Sequence, residues 1–190
     1  LSNFNDCCLM KRILYLHGLE SKANCDKVGF LRSLGHIVTS PKINYKDPNC
    51  YNDLCDLVIR DYHKYDVIIG SSMGGWFAWN LGKDIGVPVL LLNPAVHSRS
   101  IDIDINIDIE PVRDQKASKV FLALGLYDDV ISPDKTLEWL KDNDKLDWNP
   151  NNIKVAGYGH RTSVERFIDI WVHFEKDIEA ANELQERYAL

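Results

Sequence analysis

The chain has 190 residues, 45% hydrophobic and 26% charged, with 22 basic against 28 acidic side chains and a formal net charge of −6. These proportions suit a globular domain with a substantial core, and the acidic balance speaks against nucleic acid or an anionic membrane as the main partner. No apolar run is long enough for a transmembrane helix, and the five cysteines (Cys7, Cys8, Cys25, Cys50, Cys55) include no CxxC, so neither a disulfide framework nor a zinc site is suggested.

Residues 1–9 have no basic n-region and no apolar h-region, so they read as a disordered N-terminal extension before a folded part that starts near Met10. Reduced thiols without a leader point to the cytoplasm. Residues 12–17 form an apolar run rich in strand formers, ended by Gly18. Residues 26–34 suit a helix with Val28, Leu31 and Leu34 on one face, and 35–39 a second strand stopped by Pro41. Residues 52–62 carry an amphipathic stripe of Leu54, Cys55, Val58, Ile59 and Tyr62. A strand at 66–70 and a helix at 74–84 follow, then strands at 87–92 and 119–124. A helix at 133–140 has Pro133 in its first turn. A short strand at 152–156 precedes a long helix from Thr162 to about residue 188. Thr162 or Ser163 caps it, and Val164, Phe167, Ile168, Trp171, Phe174 and Ile178 face inward.

Strands alternate with helices, and most strands are continuous apolar runs, as expected when both faces of a parallel sheet are covered. The fold class is therefore α/β, doubly wound, with a mostly parallel sheet of about six strands in the order 2-1-3-4-5-6, and residues 10–190 form a single domain. Residues 101–109 break the rhythm with five isoleucines alternating with Asp or Asn. This segment reads as an edge strand, or as a lid or subunit contact whose apolar face lines an acyl pocket. Metal binding by Asp102, Asp104 and Asp108 is a weak option, because a strand fans its carboxylates in a row.

The chemistry concentrates at Gly70-Ser71-Ser72-Met73-Gly74, a G-x-S-x-G pattern between a buried strand and a helix. That context makes a nucleophile elbow, a turn so tight that the serine is strained and its hydroxyl stands above the sheet. A serine hydroxyl needs a base, and the base needs an acid to orient it. Asp128 follows the fifth strand and His160 the sixth, in the chain order Ser, Asp, His and on the sheet edge where sites of open α/β sheets form. Asp129 competes with Asp128. The G-x-x-D spacing after the strand favours Asp128 and leaves Asp129 to point away or cap the next helix. His17, His36, His63, His97 and His173 compete with His160, and only His97 shares the same edge. The backbone N–H groups of Met73 and Leu19 are the oxyanion-hole candidates, with Gly18 letting the chain turn toward the elbow. Trp76, Tyr127 and Tyr158 read either as pocket walls or as core packing.

The blocks Ile13-Leu-Tyr-Leu-His-Gly-Leu19, Ile69-Gly-Ser-Ser-Met-Gly-Gly75, Leu91-Leu-Asn-Pro-Ala-Val96, Asp128-Asp-Val-Ile131 and Gly159-His160 span most of the chain. With them the sequence resembles the α/β-hydrolase superfamily and, more closely, the small bacterial YqiA/YcfP-like esterase family. The resemblance implies cofactor-free hydrolysis of short acyl esters or thioesters, with Ser72, Asp128 and His160 as the triad. The Ile/Asp repeat and the N-terminal extension depart from the family pattern. Three readings follow: a serine esterase acting on a small-molecule ester, an amidase or peptidase with the same triad, and a binding protein that kept the fold without the chemistry.

Overall fold

The computed structural model describes residues 10–61, 64–98, 119–142 and 153–188. In chain order the elements are β1 (Arg12–Leu16), α1 (Asp26–Ser33), β2 (Ile37–Thr39), α2 (Cys50–Asp61), β3 (Val67–Ser71), α3 (Met73–Ile85), β4 (Val89–Leu92), β5 (Val120–Gly125), α4 (Pro133–Asp142), β6 (Ile153–Ala156) and α5 (Val164–Tyr188). The strands pair in parallel in the order β2-β1-β3-β4-β5-β6, the arrangement expected from short right-handed crossovers. The register sets Leu14 beside Ile68, Ile69 beside Leu90, Leu90 beside Phe121 and Ala123 beside Lys154.

Period-two alternation divides each strand between two apolar layers. Leu14, Leu16, Ile68, Leu91, Leu122 and Leu124 face one layer with Leu54, Cys55 and Val58 of α2, Phe77, Leu81 and Ile85 of α3 and Leu140 of α4. Ile13, Tyr15, Ile69, Leu90, Phe121 and Ala123 face the other, against Val28 and Leu31 of α1 and Phe167, Trp171, Phe174 and Ile178 of α5. Each fully buried side chain of this size contributes about 1.5–3 kcal/mol of transfer free energy. Both sheet faces are thus covered, and the ends of the strands are what remain free to carry chemistry.

Several boundaries differ from the sequence expectation. β3 runs on to Ser71 and α3 starts at Met73, so the connection between them is Ser72 alone. Ser163 caps α5 by accepting the Arg166 N–H at 3.3 Å, whereas Thr162 is buried beside it. Ile170 joins the inward face of α5. Trp76 is a core residue packed against Tyr51 and Phe77, and Tyr127 is 70% exposed. Cys25, Cys50 and Cys55 form no disulfide among the described residues. Residues 1–9, His63 and the Ile/Asp repeat at 101–109 lie outside the described residues. No described helix is long and apolar enough to cross a membrane.

Candidate active site

The turn between β3 and α3 is built by exclusion of side chains. Ser72 has φ 53° and ψ −116°, a backbone conformation that non-glycine residues rarely adopt. A Cβ on Gly70 would strike the Gly74 carbonyl and Ala78, and one on Gly74 would strike the Leu16 and His17 carbonyls. A Cβ on Gly18 would stand 3.3 Å from the Ser72 Cβ, so the loop after β1 lies directly against the elbow. That loop is pinned from behind by His17. Its Nδ1–H donates to the Gly18 carbonyl at 2.7 Å, its Nε2 accepts the Ile43 N–H at 3.1 Å, and its own carbonyl accepts the Tyr45 hydroxyl.

Ser72, Asp128 and His160 meet above the C-terminal ends of β3, β5 and β6. His160 Nε2 is 3.0 Å from Ser72 Oγ, and Nδ1 is 2.8 Å from Asp128 Oδ2. An ionised carboxylate only accepts, so Nδ1 carries the proton and Nε2 is left to accept the serine O–H. The second oxygen of Asp128 accepts the Val130 and Ile131 N–H groups at 2.9 and 2.8 Å. These bonds hold the carboxylate plane against the ring. The Asp128 side chain is 1% exposed and that of His160 is 19% exposed, so the pair is sheltered while the imidazole still reaches the open side.

Asp129 is exposed, and the first turn of α4 is capped by Ser132, which accepts the Lys135 N–H at 3.4 Å. Of the two expectations for Asp129, the helix cap is not seen, and the residue is exposed on the cavity rim. His97 is near the rim but its Nε2 faces the Ser132 carbonyl at 3.2 Å. Met73 and Leu19 both line the cavity in front of Ser72, and neither N–H donates to a described residue.

The cavity has a volume of about 870 Å³, within the range of small-molecule sites. Leu19, Met73, Ala95, Val130 and Ile131 supply apolar wall, Ser21 and Ser98 are its small hydroxyl residues, and Thr162 lines it with its own hydroxyl buried. Trp76, Tyr127 and Tyr158 do not line it. Glu20 and Arg161 form an exposed ion pair at 3.3 Å on the wall, joining the loops after β1 and β6. Lys27, on the same wall, has its ammonium pushed below the usual lysine range by burial, against the opposing pull of Cys25 and Asp26. No cluster suited to a metal ion occurs among the described residues.

Asn93, just beyond β4, is the residue that reading the sequence passed over. It has φ 44° and is buried. Its Oδ1 accepts the Gly125 N–H at 2.7 Å, and its Nδ2 donates to the Gly159 and His160 carbonyls at 3.2 and 2.9 Å. The one available signal was its place in the Leu-Asn-Pro-Ala-Val block.

Residues 12–121 match the model of the uncharacterised protein family UPF0227. The chain belongs to this family. The YqiA/YcfP-like resemblance read from the sequence leads to the same place. In UPF0227 terms, the matched stretch carries β1, the loop at Gly18, the elbow and the Asn93 block, while Asp128 and His160 lie beyond it. No curated protein sequence matches the chain significantly. Among solved structures the chain is similar to a predicted CIB-like hydrolase from Thermoplasma acidophilum, with TM-score 0.56 and 19% identity over 93% of this chain and 89% of that one. It is also similar to the esterase domain of a Rhodothermus marinus protein, with TM-score 0.53 and 16% identity over 88% and 86%. For Zea mays acyl-protein thioesterase 2 the values are 0.50 and 12% over 87% and 94%. At these identities the likeness is one of fold, and that fold is the α/β-hydrolase fold.

Proposed function

We propose that this protein is a serine hydrolase that cleaves carboxylic esters, either short-chain acyl esters or thioesters. The reading is carried by one observation: Ser72, His160 and Asp128 form a continuous hydrogen-bonded chain at the head of a cavity. Ser72 Oγ attacks the acyl carbonyl as His160 Nε2 takes its proton. Asp128 holds the ring and stabilises the imidazolium. The Met73 and Leu19 N–H groups receive the negative charge that develops on the carbonyl oxygen. Collapse expels the alcohol or thiol, which takes the proton from His160 and leaves an acyl-Ser72 ester. Water then attacks that ester, giving its proton to His160, and Ser72 recovers its own as the acid departs.

The fixed parts of this cycle are already assembled. The strained Ser72 backbone directs Oγ toward the imidazole, and the Asp128 carboxylate is locked by two backbone donors. Such preorganisation avoids reorientation during the reaction. A panel of p-nitrophenyl esters of graded acyl length, with matched thioesters and anilides, tests the proposal. The protein is expected to turn over short acyl esters or thioesters faster than anilides. Ser72→Ala is expected to lower the rate by about 10³-fold or more with the fold retained. Full turnover by folded Ser72→Ala would remove the mechanism.

A further inference from the structure

The three loops that carry Ser72, Asp128 and His160 are separate in sequence, yet one short segment touches all of them. The Ala95 N–H donates to the Ser72 carbonyl at 3.0 Å, and the Ser72 N–H donates to the Leu92 carbonyl at 2.9 Å. A Cβ on Gly75 would sit 2.8 Å from the Pro94 Cβ, so Pro94 lies on the first turn of α3. Between these anchors, the Asn93 amide faces the other two loops. Gly125, which it holds through Oδ1, ends the strand that leads to Asp128. Gly159 and His160, which it holds through Nδ2, are the base loop itself.

We propose that Asn93 is a positioning residue: its buried amide sets the separation of the Asp128 and His160 loops and thereby aligns the imidazole between carboxylate and serine. This rests on the esterase reading above. The geometry fixes the amide orientation, because an N–H faces one end and two carbonyls face the other. Each donor and acceptor of the side chain is used, which is what a buried amide requires. The bonds to the base loop end on main-chain carbonyls, so they fix the backbone of residue 160 whatever the state of its ring. The acid and base loops are also zipped directly. Leu126 N–H donates to the Ala156 carbonyl at 2.8 Å and Tyr127 N–H to the Tyr158 carbonyl at 3.0 Å. A Cβ on Gly125 would collide with the Tyr158 carbonyl. Asn93 adds the connection to the β4 end, and through Ala95 and Leu92 to the elbow. A displacement of about 1 Å in such a site lowers turnover by about a hundredfold. Asn is also suited to the backbone here, because it tolerates positive φ better than most side chains.

Asn93→Gly keeps the backbone conformation accessible and deletes the amide. Asn93→Asp keeps the shape. When neutral, its acid group accepts from Gly125 and donates to one loop carbonyl; when ionised, it repels both carbonyls. Steady-state kinetics on the best ester, counted per folded molecule by circular dichroism, are expected to show kcat of Asn93→Gly lowered about ten- to hundredfold with KM within about threefold. Asn93→Asp is expected to lose kcat as pH rises through a range where wild type is level. Low-field proton NMR reads the same alignment without turnover: the His160 Nδ1–H resonance of wild type is expected to shift or vanish in Asn93→Gly. Wild-type kcat per folded molecule in Asn93→Gly, a wild-type pH profile in Asn93→Asp, or an unchanged low-field resonance would each overturn the assignment. Should Asn93→Gly not fold, the pH profile and low-field resonance of Asn93→Asp decide. A wild-type protein inactive on every ester refutes the esterase reading instead, and the resonance still tests the alignment.

Discussion

At the C-terminal rim of the sheet, His160 lies between Asp128 and Ser72; at the opposite rim, His36 lies between the Lys11 backbone and Glu175. Both rings have a carboxylate for a neighbour, and the similarity ends there. His160 has an acceptor on one nitrogen, a hydroxyl on the other and a cavity in front. The His36 side chain is fully buried against Trp171, with ring centroids 5.3 Å apart. Its Nδ1 accepts the Lys11 N–H at 3.2 Å, and its Nε2 is 3.6 Å from Glu175 Oε1, beyond a good hydrogen bond. Glu175 is instead taken by Lys11 Nζ at 3.1 Å. A histidine beside a carboxylate is therefore no sign of chemistry in itself. What separates the two rims is a nucleophile on the second nitrogen and room for a substrate.

The largest contrast is in turnover. His160→Gln is expected to lower ester kcat by about 10³- to 10⁴-fold, whereas His36→Gln leaves it within about threefold, measured on one substrate at one pH. Equal losses would erase the distinction between the rims. Next comes the carboxylate. Asp128→Asn is expected to lower kcat by about 10²- to 10⁴-fold, because the amide can fix the wrong ring tautomer, while Asp129→Asn changes it by less than about twofold. A larger effect at Asp129 would move the acid role to the exposed neighbour.

Glycines sharpen the comparison at the level of stability. Gly74→Ala, which would meet two main-chain carbonyls behind the elbow, is expected to destabilise by about 1–3 kcal/mol or to prevent folding. Gly29→Ala on α1, with nothing within 4 Å of the new methyl, is expected to stabilise by about 0.5–1 kcal/mol. Urea denaturation midpoints check both.

The smallest effect is the pH dependence of His36. Burial pushes its pKa down, Lys11 adds to that and Glu175 opposes it. Below about pH 6.5 an unfolded histidine takes up a proton that the buried ring does not. The unfolded state then binds more protons, so stability decreases as the pH is lowered, until the lowered native value is passed and this contribution levels off. His36→Gln is expected to flatten that part of the urea-midpoint profile. An unchanged profile would assign the acid sensitivity to other groups.

Much of this was legible in the chain because its signals are local. Apolar runs such as Val89–Leu92 announce strands covered on both faces, and Gly70, Gly74 and Ser72 mark a turn whose geometry follows from missing Cβ atoms. Short crossovers then fix the strand order. The rest depends on partners far apart in sequence. Asn93 bonds across 32, 66 and 67 positions, and next to Pro94 it reads as an ordinary turn residue. Lys11 and Glu175 are 164 positions apart, and neither announces a partly buried ion pair. Trp76 follows the elbow and suggests a pocket wall, but helical periodicity turns its ring into the core.

Fluorophosphonate labelling, mapped by peptide mass spectrometry and compared among wild type, His160→Gln and Asp128→Asn, tests the central claim most directly. Wild type is predicted to be labelled at Ser72, with the rate collapsing in both variants while each remains folded. A folded wild-type protein whose Ser72 stays unmodified, or whose labelling is indifferent to His160, would contradict it.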